Sequence, residues 1–465
     1  MHVLICTLFV IVVFNGIIRL QLEPPGWVFL IPELMSVAVF AYFINYVVTL
    51  RRLWIPQRYF LIAGLMSVVL IAGLIIGEAT TGPVVGGIRV YFKFLPLFLL
   101  PLAYQFSEKQ LMVQLKLLLA LAILQFPLTF VQRFVLYAGL SGDEARGTFR
   151  TGSMAATFLI CGLSLVLAFY LKGRLKAVPA LLCALLIILT PNMSETKAAF
   201  ILIPLSLLLP LIWAPTKMSA FRKAIFTVAG GAIFVVMYAS VYNVVESNFR
   251  PQWKGGNPEY QESIIAFFTD RKVIERYLAP RASSGNQIKE YGRIDKIIAP
   301  FQEFHDDPPK LLAGIGFGAL TVNPVDAFST DQYAYIADEG RVGVTLSRWL
   351  WEFGILGTTF ILGALFFVWR DACALRRESN VYGAIGLGWI GAVPVFVVAL
   401  CWKNIMENPG IMYPFAYFSG LVVAARFRAA VHSKGYYASK DKQISNPTPG
   451  LPTILNSAKA KLPAS

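Results

Sequence analysis

Charge is what this sequence has least of. Only 14% of its 465 residues are Asp, Glu, Lys or Arg, against 57% hydrophobic. Soluble globular chains carry about 25% charged residues, so the shortage excludes an ordinary soluble domain. Cysteine is also sparse. Cys6, Cys161, Cys183, Cys373 and Cys401 fall within or beside apolar blocks, with no Cys-x-x-Cys pair and no metal-ligand spacing. No metal and no cofactor is expected. Strict alternation of polar and apolar residues is missing, which excludes a membrane β-barrel. The first block, "HVLICTLFVIVVFNGIIRL", lacks a basic leader and a small-residue cleavage site. It reads as a retained helix rather than a signal peptide.

What is present is a series of continuous apolar blocks, about 17 to 28 residues long, each able to cross roughly 30 Å of hydrocarbon as a helix. The fold class is therefore an all-α polytopic membrane protein. Twelve spans are predicted, at 3–20, 28–50, 59–77, 85–104, 111–137, 152–171, 177–191, 197–213, 224–243, 349–369, 381–402 and 410–425. They define transmembrane helices over 1–243, a large extracytoplasmic loop or cap at 244–348, further transmembrane helices over 349–425, and a basic tail at 426–465. The tail is rich in Pro, Ser and Lys and is expected to be disordered. The net charge of +15 is topological and does not indicate a nucleic-acid partner. The loops "RRLWIPQR", "KGRLK", "KMSAFRK" and "RDACALRR" each hold three Lys or Arg and each follow an even-numbered span. Both termini are thus expected in the cytoplasm.

The segment 244–348 differs from the basic loops. It carries 12 Lys/Arg and 14 Asp/Glu, no cysteine, and several aromatics. It is expected to fold as a small cap, partly helical, outside the cell membrane. No ATP is available there, so chemistry at that face needs a pre-activated substrate.

Cations recur where the even-numbered spans begin. Arg89 and Lys93 open span 4, Arg146 and Arg150 precede span 6 with Ser153 as a predicted cap, Lys197 opens span 8, and Arg348 sits beside a predicted cap at Ser347. A helix N-terminus carries partial positive charge, and a cation there is disfavoured by roughly 0.3–1 kcal/mol. Four such starts point to a compensating anion, and N–H groups with Arg forks suit phosphate or pyrophosphate. The bland alternative is snorkelling to lipid headgroups.

Four segments carry a resemblance to a known superfamily, over about half the chain. "ARGTFRTGSMAATFLICGLSL", "LTPNMSETKAAFILIPLSLLL", "PPKLLAGIGFGAL" and "LSRWLWEFGILGTTFILG" are similar, in order and topology, to segments of the O-antigen polymerases and O-antigen ligases of bacterial inner membranes. The resemblance implies metal-independent glycosyl transfer at the outer face of that membrane. The donor is a glycan on undecaprenyl pyrophosphate. The acceptor is a second lipid-linked repeat for a polymerase of O-antigen, capsule or exopolysaccharide, or lipid A core for a ligase. Ligases carry a His-Asn pair shortly before the glutamate of the last segment; this chain has Gly343 and Val344 there, and His305 lies far upstream. That departure favours the polymerase. The expected roles are Arg146, Arg150 and Arg348 on the leaving pyrophosphate, and Arg89, Lys93, Lys197 and Arg293 as further binding residues. Gly314, Gly316 and Gly318 form a substrate-side turn, and Asp338, Glu339 or Glu352 serves as general base. Trp253, Tyr333 and Tyr335 are candidates to stack on sugars. The bilayer and a chain-length regulator are candidate partners. A transporter or flippase of a lipid-linked oligosaccharide is the main rival, a non-catalytic scaffold the lesser one.

Overall fold

The computed structural model describes the chain except residues 23, 51–52, 79, 138–143, 216–224, 226–229, 232–233, 235, 245–290, 321–332, 334, 337–339 and 446–465. The described part is mainly helical, with no strand among the described residues. In chain order the helices are α1 His2–Ile17, α2 Ile31–Leu50, α3 Gln57–Ile76, α4 Thr81–Phe92, α5 Leu95–Ala103, α6 Glu108–Val131 and α7 Gly152–Leu171. After these come α8 Ala177–Met193, α9 Ala199–Trp213, α10 Arg293–Glu303, α11 Pro308–Ala313, α12 Thr345–Leu375, α13 Val381–Leu400 and α14 Pro409–Ser445. Hydrocarbon offers backbone groups no partners, so continuous apolar sequence closes its hydrogen bonds within helices.

Among the described residues, eight helices are long and apolar enough to cross a membrane. The pair α4 and α5, bent by 48° at its break, passes the same test when taken together, as a broken span or a re-entrant loop. The predicted seventh and eighth spans are the shorter apolar helices α8 and α9, and the ninth, 224–243, is described only in part. Two boundaries differ from expectation. Span 4 begins earlier, at Thr81, and is interrupted after Phe92, so Arg89 lies in the last turn of α4 and not at a helix start. The predicted disordered tail is helical as far as Ser445.

α13 is the central element, packed by α7, α9, α12 and α14. Trp389 donates to Ser419 Oγ at 3.1 Å and Ser164 Oγ donates to Gly388 O at 2.6 Å, so polar atoms inside the bundle are met by neighbouring helices. Most of the basic-loop residues described collect at one end. There Arg58 and Tyr59 of α3 bind Asp371 of α12, and Lys172 Nζ donates to the carbonyls of Arg376 and Glu378 at 2.6 and 2.8 Å. Arg174 Nη2 donates to Ser379 O at 3.0 Å.

At the other end α12 is broken. Gly354 sits at φ 62°, ψ −167° inside it, and Gly314 of the Gly-x-Gly-x-Gly segment sits at φ 77°, ψ −176°. Both lie in a region that only glycine occupies readily. The two interlock. A Cβ on Gly354 would lie 2.4 Å from Leu312 O, and one on Gly314 would lie 2.5 Å from the Glu352 carbonyl carbon. Ile315 N donates to Trp351 O at 2.9 Å across the break. The expected substrate turn is thus a packing wedge between α3, α4 and α12.

Gly354→Ala and Gly314→Ala are each expected to lower stability by about 2 kcal/mol or more, from backbone strain of about 1–3 kcal/mol plus the clash. Gly162→Ala, whose methyl would meet nothing within 4 Å, is expected to be neutral or stabilising by up to about 1 kcal/mol. Thermal unfolding of the detergent-solubilised proteins reads the difference; equal midpoints for all three would rule out the interlock.

Candidate functional site

The site is built at the end where α7, α12 and α14 begin. Its first part is the turn "RGTFR" between α6 and α7. Gln132 grips Gly147 on both sides, accepting from its N–H at 2.7 Å and donating to its carbonyl at 2.9 Å. Gln125 Oε1 accepts from Thr148 N and Oγ1 at 2.9 and 3.1 Å. Both glutamines are buried. Spaced seven apart along α6 and the turn of π-helix that continues it, they hold the backbone of the loop from one side. Ile17 N donates to Thr148 O at 3.0 Å, and buried Phe149 packs on Phe158 with ring centroids 5.2 Å apart. With its backbone and phenyl ring anchored, the turn leaves its arginines at the surface. Arg146 binds Glu144 at 2.6 Å. Arg150 is exposed and has no ion-pair partner among the described residues. The helix cap is Thr151, whose Oγ1 accepts from Met154 N at 3.4 Å, and not the predicted Ser153.

The second part is the first turns of α12. Thr345 Oγ1 donates to Lys403 O at 3.1 Å and accepts from Ile405 N at 2.9 Å, tying α12 to the turn between α13 and α14. Ser347 is not a cap; the helix starts at Thr345, and Ser347 Oγ donates to Lys296 O at 2.6 Å. Arg348 is buried, 3% exposed. Its Nη1 donates to Glu407 Oε1 at 2.6 Å, its Nη2 to Leu320 O, and its Nε faces Glu352 Oε1 at 3.6 Å. Glu352 is buried and accepts from Gly318 N at 3.2 Å and Leu320 N at 2.9 Å. Arg348 is committed to protein acceptors, and both Glu352 oxygens are occupied.

The third part is the α4–α5 break. Arg89 lies in the last turn of α4, and Lys93, four residues on, is its C-cap residue. Arg89 Nε binds Glu33 Oε2 at 2.7 Å. Half-buried Lys93 stands at the break, with no ion-pair partner among the described residues. The three parts converge on Glu407, in the turn before α14. Burial raises its pKa, but the charge and hydrogen bond of Arg348 outweigh this, and Lys93 and Arg150 add to the effect. The carboxyl is held below its usual range. It is ionised at neutral pH.

Other expected site residues lie apart or serve structure. Arg293 Nε donates to Trp402 O at 3.2 Å, with its guanidinium 4.6 Å from the Trp402 ring centroid. Lys197 stands in the turn before α9, two residues from Glu195, which binds buried Arg133 at 2.5 Å. Tyr333 Oη donates to Gly77 O at the end of α3 and Tyr335 Oη to Glu303, each at 3.3 Å. Gly316 and Gly318 share the left-handed backbone of Gly314. Asp338, Glu339 and Trp253 lie outside the described residues.

Sequence reasoning missed Glu407, Gln125 and Gln132. The glutamines had a signal: polar side chains within an apolar block require partners. Glu407 had little, since a carboxylate just before a helix is ordinary. Compared with models of known protein families and with curated proteins, the sequence matches none.

Replacing Arg348 by Met is expected to cost about 3–5 kcal/mol, because it strands a buried carboxylate. Arg150→Ala is expected to stay within about 0.5 kcal/mol of the parent, as surface changes do. Detergent thermal unfolding of the two variants separates a structural arginine from an open one; a mild Arg348→Met would show that the buried cluster is not holding this end together.

Proposed function

We propose that the protein polymerises undecaprenyl-pyrophosphate-linked repeat units of O-antigen, capsule or exopolysaccharide by metal-independent glycosyl transfer. In this reading the chain crosses the bacterial inner membrane twelve times with both termini cytoplasmic. The end holding Arg150, Lys93 and Glu407 then faces outward. The supporting observation is the pair of cations, Lys93 and Arg150, that lack ion-pair partners among the described residues and flank an ionised carboxylate. A leaving pyrophosphate supplies the anion they lack, and preorganised cations at a water-poor boundary stabilise the charge that develops on it. Arg146, paired with half-buried Glu144, is a third cation within the same turn. The ligase reading is weaker, since Gly343 and Val344 stand where the ligase His-Asn pair would be. A lipid-linked-oligosaccharide transporter draws on one observation, the helix broken at Lys93, because transporters bind substrate at discontinuous helices.

The test is restoration of a deletion strain with wild type, Arg150→Ala or Lys93→Met, at matched membrane abundance, followed by gel analysis of surface glycans. Wild type is expected to give a long ladder, and each variant mainly single repeats, in keeping with a rate loss of about 100-fold for one lost charge contact. Long polymer that never reaches lipid A in the deletion strain would make the protein a ligase. Repeats trapped on the cytoplasmic leaflet would make it a transporter.

A further inference from the structure

A glycosyl transfer needs a group to take the acceptor's proton, and the described structure narrows the choice. Glu352 is buried with both oxygens occupied. Glu33 is tied to Arg89 and Glu195 to Arg133, each only 19% exposed. Glu144 pairs with Arg146 on the surface of the turn. Glu407 combines three properties. Its Oε1 is fixed by Arg348, which is itself immobilised by Leu320 and Glu352. Its Oε2 has no hydrogen-bond partner among the described residues, and the side chain is 39% exposed. The charges of both unpartnered cations, Lys93 and Arg150, bear on it.

We infer that Glu407, through Oε2, is the general base that accepts the proton of the acceptor hydroxyl; this rests on the polymerase reading above. As the proton passes to Oε2, the hydroxyl oxygen forms the new bond to the anomeric carbon of the donor sugar. The bond from that carbon to the pyrophosphate oxygen breaks, and its electron pair leaves with undecaprenyl pyrophosphate. Lys93 and Arg150 meet the charge that appears there. Water then takes the proton from Glu407. Arg348 is a positioning residue: it orients the carboxylate and touches no substrate.

The groups facing Glu407 are Arg348, Lys93 and Arg150, with Tyr91 and Glu352 behind Arg348. A base of this kind works ionised, so activity is retained at neutral pH and lost as pH falls through a pKa below the ordinary glutamate value of about 4.3.

The experiment uses the purified full chain in lipid nanodiscs. A polyprenyl-pyrophosphate-linked repeat extracted from the deletion strain serves for turnover, and undecaprenyl pyrophosphate alone for binding. Glu407→Gln is expected to lower kcat by about 100-fold or more while binding of undecaprenyl pyrophosphate stays within about threefold, and Glu407→Asp to recover part of the rate. Wild-type kcat is expected to be flat from pH 8 down to about 5. Turnover by Glu407→Gln within about threefold of wild type overturns the assignment and leaves the polymerase reading standing. So does loss of binding together with turnover, which would make Glu407 a residue that merely shapes the site. If the variants fail to fold, the wild-type profile decides: an acid limb near pH 6–7 points to a different base. A wild-type protein that binds but never extends the donor overturns both readings.

Discussion

Removing the Glu352 carboxylate from water costs several kcal/mol unless its lone pairs are met. Two backbone N–H groups of the glycine-rich segment and the Arg348 guanidinium meet them. Much else follows from that requirement. The segment must come close to α12, and the glycines at 314 and 354 allow the approach. Arg348, drawn inward by Glu352, presents Nη1 to Glu407 and so joins α12 to the turn before α14. One buried charge thereby sets the position of an exposed one.

The two ends of the bundle use their cations differently. At the end rich in basic loops, Arg58, Lys172 and Arg174 are bound to a carboxylate or to carbonyls left open at helix termini. Lys172 and Arg174 complete helix ends, as cations near C-termini do. At the other end Lys93 and Arg150 are left without such acceptors among the described residues, while Arg89 and Arg146 are matched one to one. Uneven pairing, rather than the number of cations, is what gives that end its character.

The helices were legible because membrane burial imposes long apolar blocks that nothing else in a sequence imitates. Boundaries at α7 and α13 fall within two residues of those expected, whereas α12 starts four residues earlier and ends six later. The α4–α5 break had a signal that went unread: in "GGIRVYFKFLPL" Pro96 has no N–H to continue the helix that precedes it, and it stands in the first turn of α5. The arginines of "RGTFR" stood out because they are wrong-signed at a helix start. Their anchoring did not, since it depends on Gln125 and Gln132, whose partners are defined only in three dimensions. Arg348 and Glu352 were recognised as important, but local spacing cannot separate a charge that faces a ligand from one that closes a buried pair. Glu407 lay outside every motif and emerged through convergence of three distant segments.

The wedge of residues 312–318 also bears on how the chain is assembled. α3 and α4 leave the ribosome more than two hundred residues before α12 does. At synthesis rates of about 5–20 residues per second, their glycine-lined faces at Gly73, Gly77 and Gly87 wait on the order of tens of seconds for the backbone that fills them. Until then those faces border lipid or a chaperone. The first half of the protein is thus inserted long before it is finished, and the functional end closes in a late step that must draw the intervening segment back onto helices already in place.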